Sequence, residues 1–184
     1  ICNSKGYKRK IYFFHKGWEK VRITLGECIL DINVEENERY YKNERNITED
    51  CQCDGCENYE LAVEQVSSEV SKMFKQLGLD IKKPAEVYVN CSDNNILLYG
   101  GFYHLCGTMI EGKSAWEIVS KTKKSMVSHL NEERMFCIGK DFRIFFQEDC
   151  ALLSKDFPRP CIQMEILAYS PWVLQKQNTY EQQI

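Results

Sequence analysis

Apolar residues follow two different rhythms along this chain. Lys10 to Phe14 and Val21 to Val34 are rich in β-formers and punctuated by Gly17 and Gly26, which predicts two or three strands with a hairpin among them. Glu35 to Asp50 is charged and Asn-rich, and reads as a loop or a short surface helix anchored by Tyr40 and Tyr41. From Glu57 to Leu77 the rhythm changes. Tyr59, Ala62, Val63, Val66, Val70, Met73, Phe74 and Leu77 recur every three or four residues and lay one apolar stripe along a single long helix. Glu57 and Glu60 stand in its first turn, where the helix dipole favours carboxylates. Gly78 follows as a C-terminal stop, with Pro84 beyond it. A stripe of this kind is a core face.

The rhythm of two then returns. Ala85 to Asn90 and Ile96 to Cys106 flank Ser92-Asp-Asn-Asn95, a hairpin signal with turn residues at its tip. A shorter helix is expected from about Ser114, burying Trp116, Val119, Met126, Val127 and Leu130. Phe142 to Phe146 and Ile162 to Tyr169 read as further strands; in the second, Ile162, Met164, Ile166 and Ala168 alternate with Gln163 and Glu165. Phe157-Pro-Arg-Pro160 is an extended connection, because each proline biases its predecessor away from helix. The polar, Gln-rich residues after Leu174 are expected to fray. The order of elements predicts an α+β fold: an antiparallel sheet packed against one long amphipathic helix, with a shorter second helix. Residues 1–174 are expected to form a single domain, with strands and an acidic loop in 1–50, the helix and remaining sheet in 51–174, and a polar tail over 175–184.

Composition narrows the class. A chain of 184 residues with 43% apolar content can bury a core without staples. The net charge of −3 argues against nucleic acid as the main partner. Lys5, Lys8, Arg9, Lys10, Lys16, Lys20 and Arg22 do make the start basic, and Glu35 through Glu60 make the next segment acidic, which reads as two solvated faces. No run approaches the roughly 18 apolar residues of a membrane span, and no signal-peptide pattern opens the chain at Ile1. Ten cysteines are many for this length. Three of them crowd into six residues, too close for ordinary disulfide pairing. Cys28, Cys91, Cys106, Cys137, Cys150 and Cys161 sit among apolar neighbours as small hydrophobes. Together these point to a reducing cytoplasm.

The chemistry concentrates in Cys51-Gln-Cys53-Asp-Gly-Cys56. Cys53 and Cys56 have the C-x-x-C spacing of a metal knuckle, Gly55 lets the backbone tighten so that amides point at sulfur, and Cys51 adds a third thiolate. The start of a helix follows, and its dipole favours thiolates. One structural zinc ion per chain needs a fourth ligand. His104 is the first choice, Cys106 the second and Cys91 the third. His104 would let the metal staple the long helix to the central hairpin; the competing reading makes it a hydrogen-bonded core histidine. An iron–sulfur cluster and thioredoxin-like redox chemistry fit the spacing less well. His15 and His129 have no partner spacing.

The segments Asp50-Cys-Gln-Cys-Asp-Gly-Cys-Glu-Asn-Tyr59, Lys83-Pro-Ala-Glu86, Tyr103-His104, Phe157-Pro-Arg-Pro-Cys-Ile-Gln-Met-Glu165 and Pro171-Trp-Val-Leu174 resemble a family of small uncharacterised bacterial proteins. The resemblance spans about residues 50 to 174, implies a bacterial and cytoplasmic protein, and brings no activity with it. Two functions stay open. One is a zinc-stabilised module that binds a protein or small ligand without catalysis, with Tyr99, Phe102, Tyr103 and Trp172 as a candidate recognition surface and core packing as the competing role. The other is a thiol- or metal-dependent enzyme, with Glu86 or Glu165 as base, or with Cys106 or Cys161 activated by His104. Three thiolates lower the Lewis acidity of a metal and favour the first.

Overall fold

The computed structural model describes residues 11–15, 20–122 and 125–181. Strands β1 (Ile11–His15), β2 (Lys20–Leu25) and β3 (Cys28–Asn33) come first. Helices α1 (Val34–Asn43), α2 (Ile47–Asp50), α3 (Asp54–Ala62) and α4 (Ser68–Leu77) follow. Then come β4 (Glu86–Asp93), β5 (Ile96–Glu111), β6 (Trp116–Lys121), β7 (Met126–Leu130), β8 (Phe136–Ile138), β9 (Phe142–Gln147) and β10 (Cys161–Pro171). The basic residues Lys5, Lys8, Arg9, Lys10 and Lys16 lie outside the described residues. Among those described, no helix is long and apolar enough to cross a membrane.

Every strand pairing is antiparallel, and β5 is the spine. The order is β1-β2-β3-β5-β10-β9-β8, with β4 also on β5. On one side β5 carries β10 along residues 96–106. On the other it carries β4 along 96–102 and β3 along 107–111. The β4–β5 turn is as expected: Asn94 and Asn95 take φ of 50° and 57°, as a two-residue primed turn requires.

Among the described residues, no strand lies beside the edge of β5 between β4 and β3, yet its amides are buried there. Side chains of α1 stand in. Tyr41 Oη accepts from His104 N at 3.1 Å and donates to His104 O at 2.9 Å. Asn37 Oδ1 accepts from Cys106 N at 2.7 Å while its Nδ2 donates to Leu77 O at 2.8 Å. Asn37 is completely buried. A buried ladder amide must find a partner, so the segment expected to be a loop or short surface helix is a helix that completes the sheet.

The expected fold class is corrected in its helices. Strand outweighs helix, 41% against 25%, and three helices have seven or more residues, none of them long. The stripe from Glu57 to Leu77 is broken: a 3-10 turn at Val63–Gln65 runs into extended backbone at Val66, and Ser67 restarts the helix by accepting from Val70 N. The buried face survives the break, because Val63 and Val70 are one heptad apart. Tyr59 packs on Tyr99, and Phe74 on Tyr103 and Phe142. Gly78 ends α4 at φ 71°, where a Cβ would lie 2.6 Å from Val34 O. Burying Val70, Met73, Phe74 and Leu77 is worth roughly 6–12 kcal/mol, and this holds a ten-residue helix that would be marginal alone.

The second helix is also overturned. Trp116 to Leu130 forms the β6–β7 hairpin, closed by Thr122 N donating to Ser125 O. Trp116, Val119, Met126 and Val127 are exposed. Their spacing mimics a helical stripe, but the β-branched content belongs to strands. Over residues 175–181 the chain is docked rather than frayed: Asn178 is buried and donates to Ser92 Oγ at 2.9 Å.

Candidate metal centre

The knuckle lies where α2 ends and α3 begins. Cys51 caps the C-terminus of α2 and Cys53 is the N-cap of α3, with extended backbone at both. The helical turn that follows brings Cys56 back beneath them. The three sulfur atoms all lie within 4.8 Å of one another, and Cys51 Sγ is 3.3 Å from Cys53 Sγ. A tetrahedral zinc ion with Zn–S of about 2.3 Å sets its sulfurs about 3.8 Å apart, so the donor set fits the ion within side-chain adjustment.

Cys53 is exposed and Cys56 buried. Desolvation alone would raise the Cys53 thiol. It is outweighed by the backbone amides of Cys56 and Gly55 and by the thiols of Cys51 and Cys56, so the group titrates below its ordinary value. Burial, and then the two neighbouring sulfurs, push Cys56 well up. Amides aimed at sulfur are the feature expected of a knuckle. Gly55 matters for a second reason: a Cβ there would meet Tyr180 Oη at 2.8 Å, because the C-terminal segment folds across the site. Lys176 Nζ bridges Asp54 and Glu57, each at 2.8 Å, and pins the same segment to the first turn of α3. Burial followed by the nearby Cys53 raises the Tyr180 phenol.

His104 is not brought to this cluster. Its neighbour Tyr103 faces α3, where Tyr59 Oη lies 2.6 Å from Tyr103 Oη. Adjacent strand residues point to opposite faces, so His104 looks the other way. It packs against Phe102 and Phe157, and its Nε2–H donates to Ala151 O at 2.9 Å. Burial lowers its pKa, and the contacts with Ala151 and Gln163 offset that in part. Cys106, two residues on, shares that face and is buried. Cys91 is exposed at the β4 bulge. Among the described residues, no fourth His, Cys, Asp or Glu has its ligand atom in the group.

The residues suggested for catalysis are separately committed. Glu165 Oε1 accepts from Gln147 Nε2 and Gln163 Nε2, both at 2.6 Å, and burial raises its carboxyl. Glu86 is exposed. Cys161 Sγ lies 3.2 Å from Cys150 Sγ, a pairing that an eleven-residue separation does not announce. Cys137 is disulfide-bonded, unlike the free thiol expected. Tyr99, Phe102 and Tyr103 are buried, so they are core rather than a recognition surface.

No family model, curated protein or solved structure matches this chain. The cysteine cluster is therefore the feature that bears on function: Cys51, Cys53 and Cys56 lie close enough to hold a metal ion.

Proposed function

We propose that this chain is a non-catalytic interaction module whose knuckle is ordered by one zinc ion held by Cys51, Cys53 and Cys56. The observation that carries the reading is the convergence of three sulfurs within 4.8 Å at the N-cap of α3. Thiolate ligation of a borderline-soft ion supports it, and so do the amides aimed at Cys53. Bound there, the ion would fix the crossing from α2 to α3. The binding half draws support from the β6–β7 hairpin, which leaves Ile118, Val119, Met126 and Val127 more than half exposed. Apolar surface of this kind is costly unless something uses it, and another protein is the partner it suits.

The metal is tested by elemental analysis of protein purified without an affinity metal. About one zinc per chain is expected, falling several-fold in Cys53→Ser. Metal-free protein with three freely titrating knuckle thiols would overturn the assignment.

A further inference from the structure

A second pair of thiols lies outside the knuckle. The segment between β9 and β10 folds back over one face of the sheet and sets Cys150 beside Cys161, the first residue of β10. Their sulfurs are 3.2 Å apart. Both positions are fixed by neighbours. Cys161 is held in the ladder opposite Cys106. Cys150 precedes Ala151, whose amide donates to Gln163 Oε1 at 2.7 Å and whose carbonyl accepts from His104. Phe157, later in the same segment, is buried between His104 and Tyr40. Two thiols held this close on separately anchored backbones need only move together by about 1.2 Å to reach the S–S bond length of about 2.05 Å.

We propose that Cys150 and Cys161 form a peroxide-oxidisable dithiol, with Cys150 as the attacking sulfur and Cys161 as the resolving one. The order follows from the environment. The Cys161 thiol, and then the Arg159 charge, bring the Cys150 thiol below its ordinary value against burial and Asp149. Cys161 is pushed up, first by its bond to Cys150 and then by burial, so it keeps its proton and donates it. Both residues are half-buried, open to a small oxidant.

The steps balance. The Cys150 thiolate attacks one oxygen of a hydroperoxide; the O–O bond breaks, the leaving oxygen takes a proton from solvent and departs as water or an alcohol, and Cys150 becomes a sulfenic acid. The Cys161 sulfur then attacks that sulfur; the S–O bond breaks, and the hydroxide leaves with the Cys161 proton as water. Two electrons pass to the peroxide; two equivalents of a small thiol then restore the dithiol by exchange through a mixed disulfide and leave as their own disulfide. The disulfide would tether the segment that carries Ala151 over His104.

Trypsin separates the two cysteines, because Lys155 lies between them; Cys150 falls in residues 144–155 and Cys161 in 156–176. Full-length reduced protein is treated with near-stoichiometric hydrogen peroxide, blocked with an alkylating agent, digested and mapped without reduction. The expected product is the linked 144–155/156–176 pair, lost on adding thiol. Cys161→Ser should instead accumulate a dimedone adduct on Cys150. In Cys161→Ala the alkylation of Cys150 should slow about threefold for each unit its pKa rises, the gain in nucleophilicity partly offsetting the loss of thiolate. Cys150 and Cys161 alkylated separately, at a peroxide dose that oxidises the knuckle peptide, would overturn the proposal. So would Cys150 linked to another cysteine. The mapping keeps this result independent of the metal assignment, since all three knuckle cysteines fall in one other peptide.

Discussion

Asn37→Leu tests whether α1 completes the sheet. The substitution keeps the volume of a fully buried side chain and removes both of its hydrogen bonds, to Cys106 N at 2.7 Å and Leu77 O at 2.8 Å. A buried group left without its partner costs about 1–3 kcal/mol. Two such groups give a loss of about 2–6 kcal/mol, a large share of the 5–15 kcal/mol typical of a domain. In urea, with a slope of about 2–3 kcal/mol/M for this size, the midpoint should fall by about 0.7–3 M with the slope unchanged. Asn43→Ala, which loses only an exposed bond to Arg39 O on the same helix, should stay within about 0.5 kcal/mol. Hydrogen exchange supplies the local check: the Cys106 amide should lose protection beyond the global change. A loss below about 1 kcal/mol with Cys106 still protected would refute the role of Asn37 in the ladder.

Truncation after Leu174 should cost about 2 kcal/mol in the same titration, from the buried Asn178–Ser92 bond and the packing of Tyr180 over Gly55; an unchanged midpoint would mean that the segment is not docked. His104 should titrate below the ordinary 6.5 in an NMR pH series, because burial favours its neutral form. The unfolded chain then takes up that proton first, so the stabilising contribution of His104 is present above about pH 6.5 and is lost as pH falls towards its depressed value. Glu165, raised by burial, works in the opposite sense, so the difference between wild type and His104→Gln is the quantity to follow. Replacing Val119 and Val127 with Lys should move stability by less than about 0.5 kcal/mol, since both are more than half exposed; a loss above 1 kcal/mol would show that the hairpin is packed.

What could be read from the sequence was local. The Asn94-Asn95 turn and the face of the helical stripe follow from neighbours in the chain, and each appears as expected; β10 does not alternate in burial, because Gln163 and Glu165 are buried along with the apolar residues between them. No glycine or proline marks the break at Val66, and the seven-residue step from Val63 to Val70 keeps the periodicity across it, so the pattern reads as one helix. Asn37 looked like one more polar residue in an acidic segment, because the amide it serves is 69 residues away. At the site, the three thiols were legible from spacing and the fourth ligand was not. His104 and Tyr103 differ by one position, and only tertiary packing decides which of them faces α3.

That parity changes what the metal can do. With His104 as ligand, the ion would have fastened helix to hairpin. The structure fastens them without it: Tyr59 Oη lies 2.6 Å from Tyr103 Oη, which donates to Ile81 O. Asn58 Nδ2 donates to Tyr99 Oη, which donates to Gly55 O, and Asn58 also bonds Pro171 O and Val173 N. These are buried or half-buried bonds worth about 1 kcal/mol each, added to the packing of Tyr59 on Tyr99. Metal removal should therefore act locally. Chelation, or Cys53→Ser, should speed amide exchange at residues 51–57 by tenfold or more and loosen the segment that carries Tyr180, while the urea midpoint falls by less than about 0.5 M. In domains that depend on a structural zinc ion for their fold, loss of the ion unfolds the chain. Global unfolding on chelation here would refute the argument that hydrogen bonds, rather than the metal, hold α3 to the sheet.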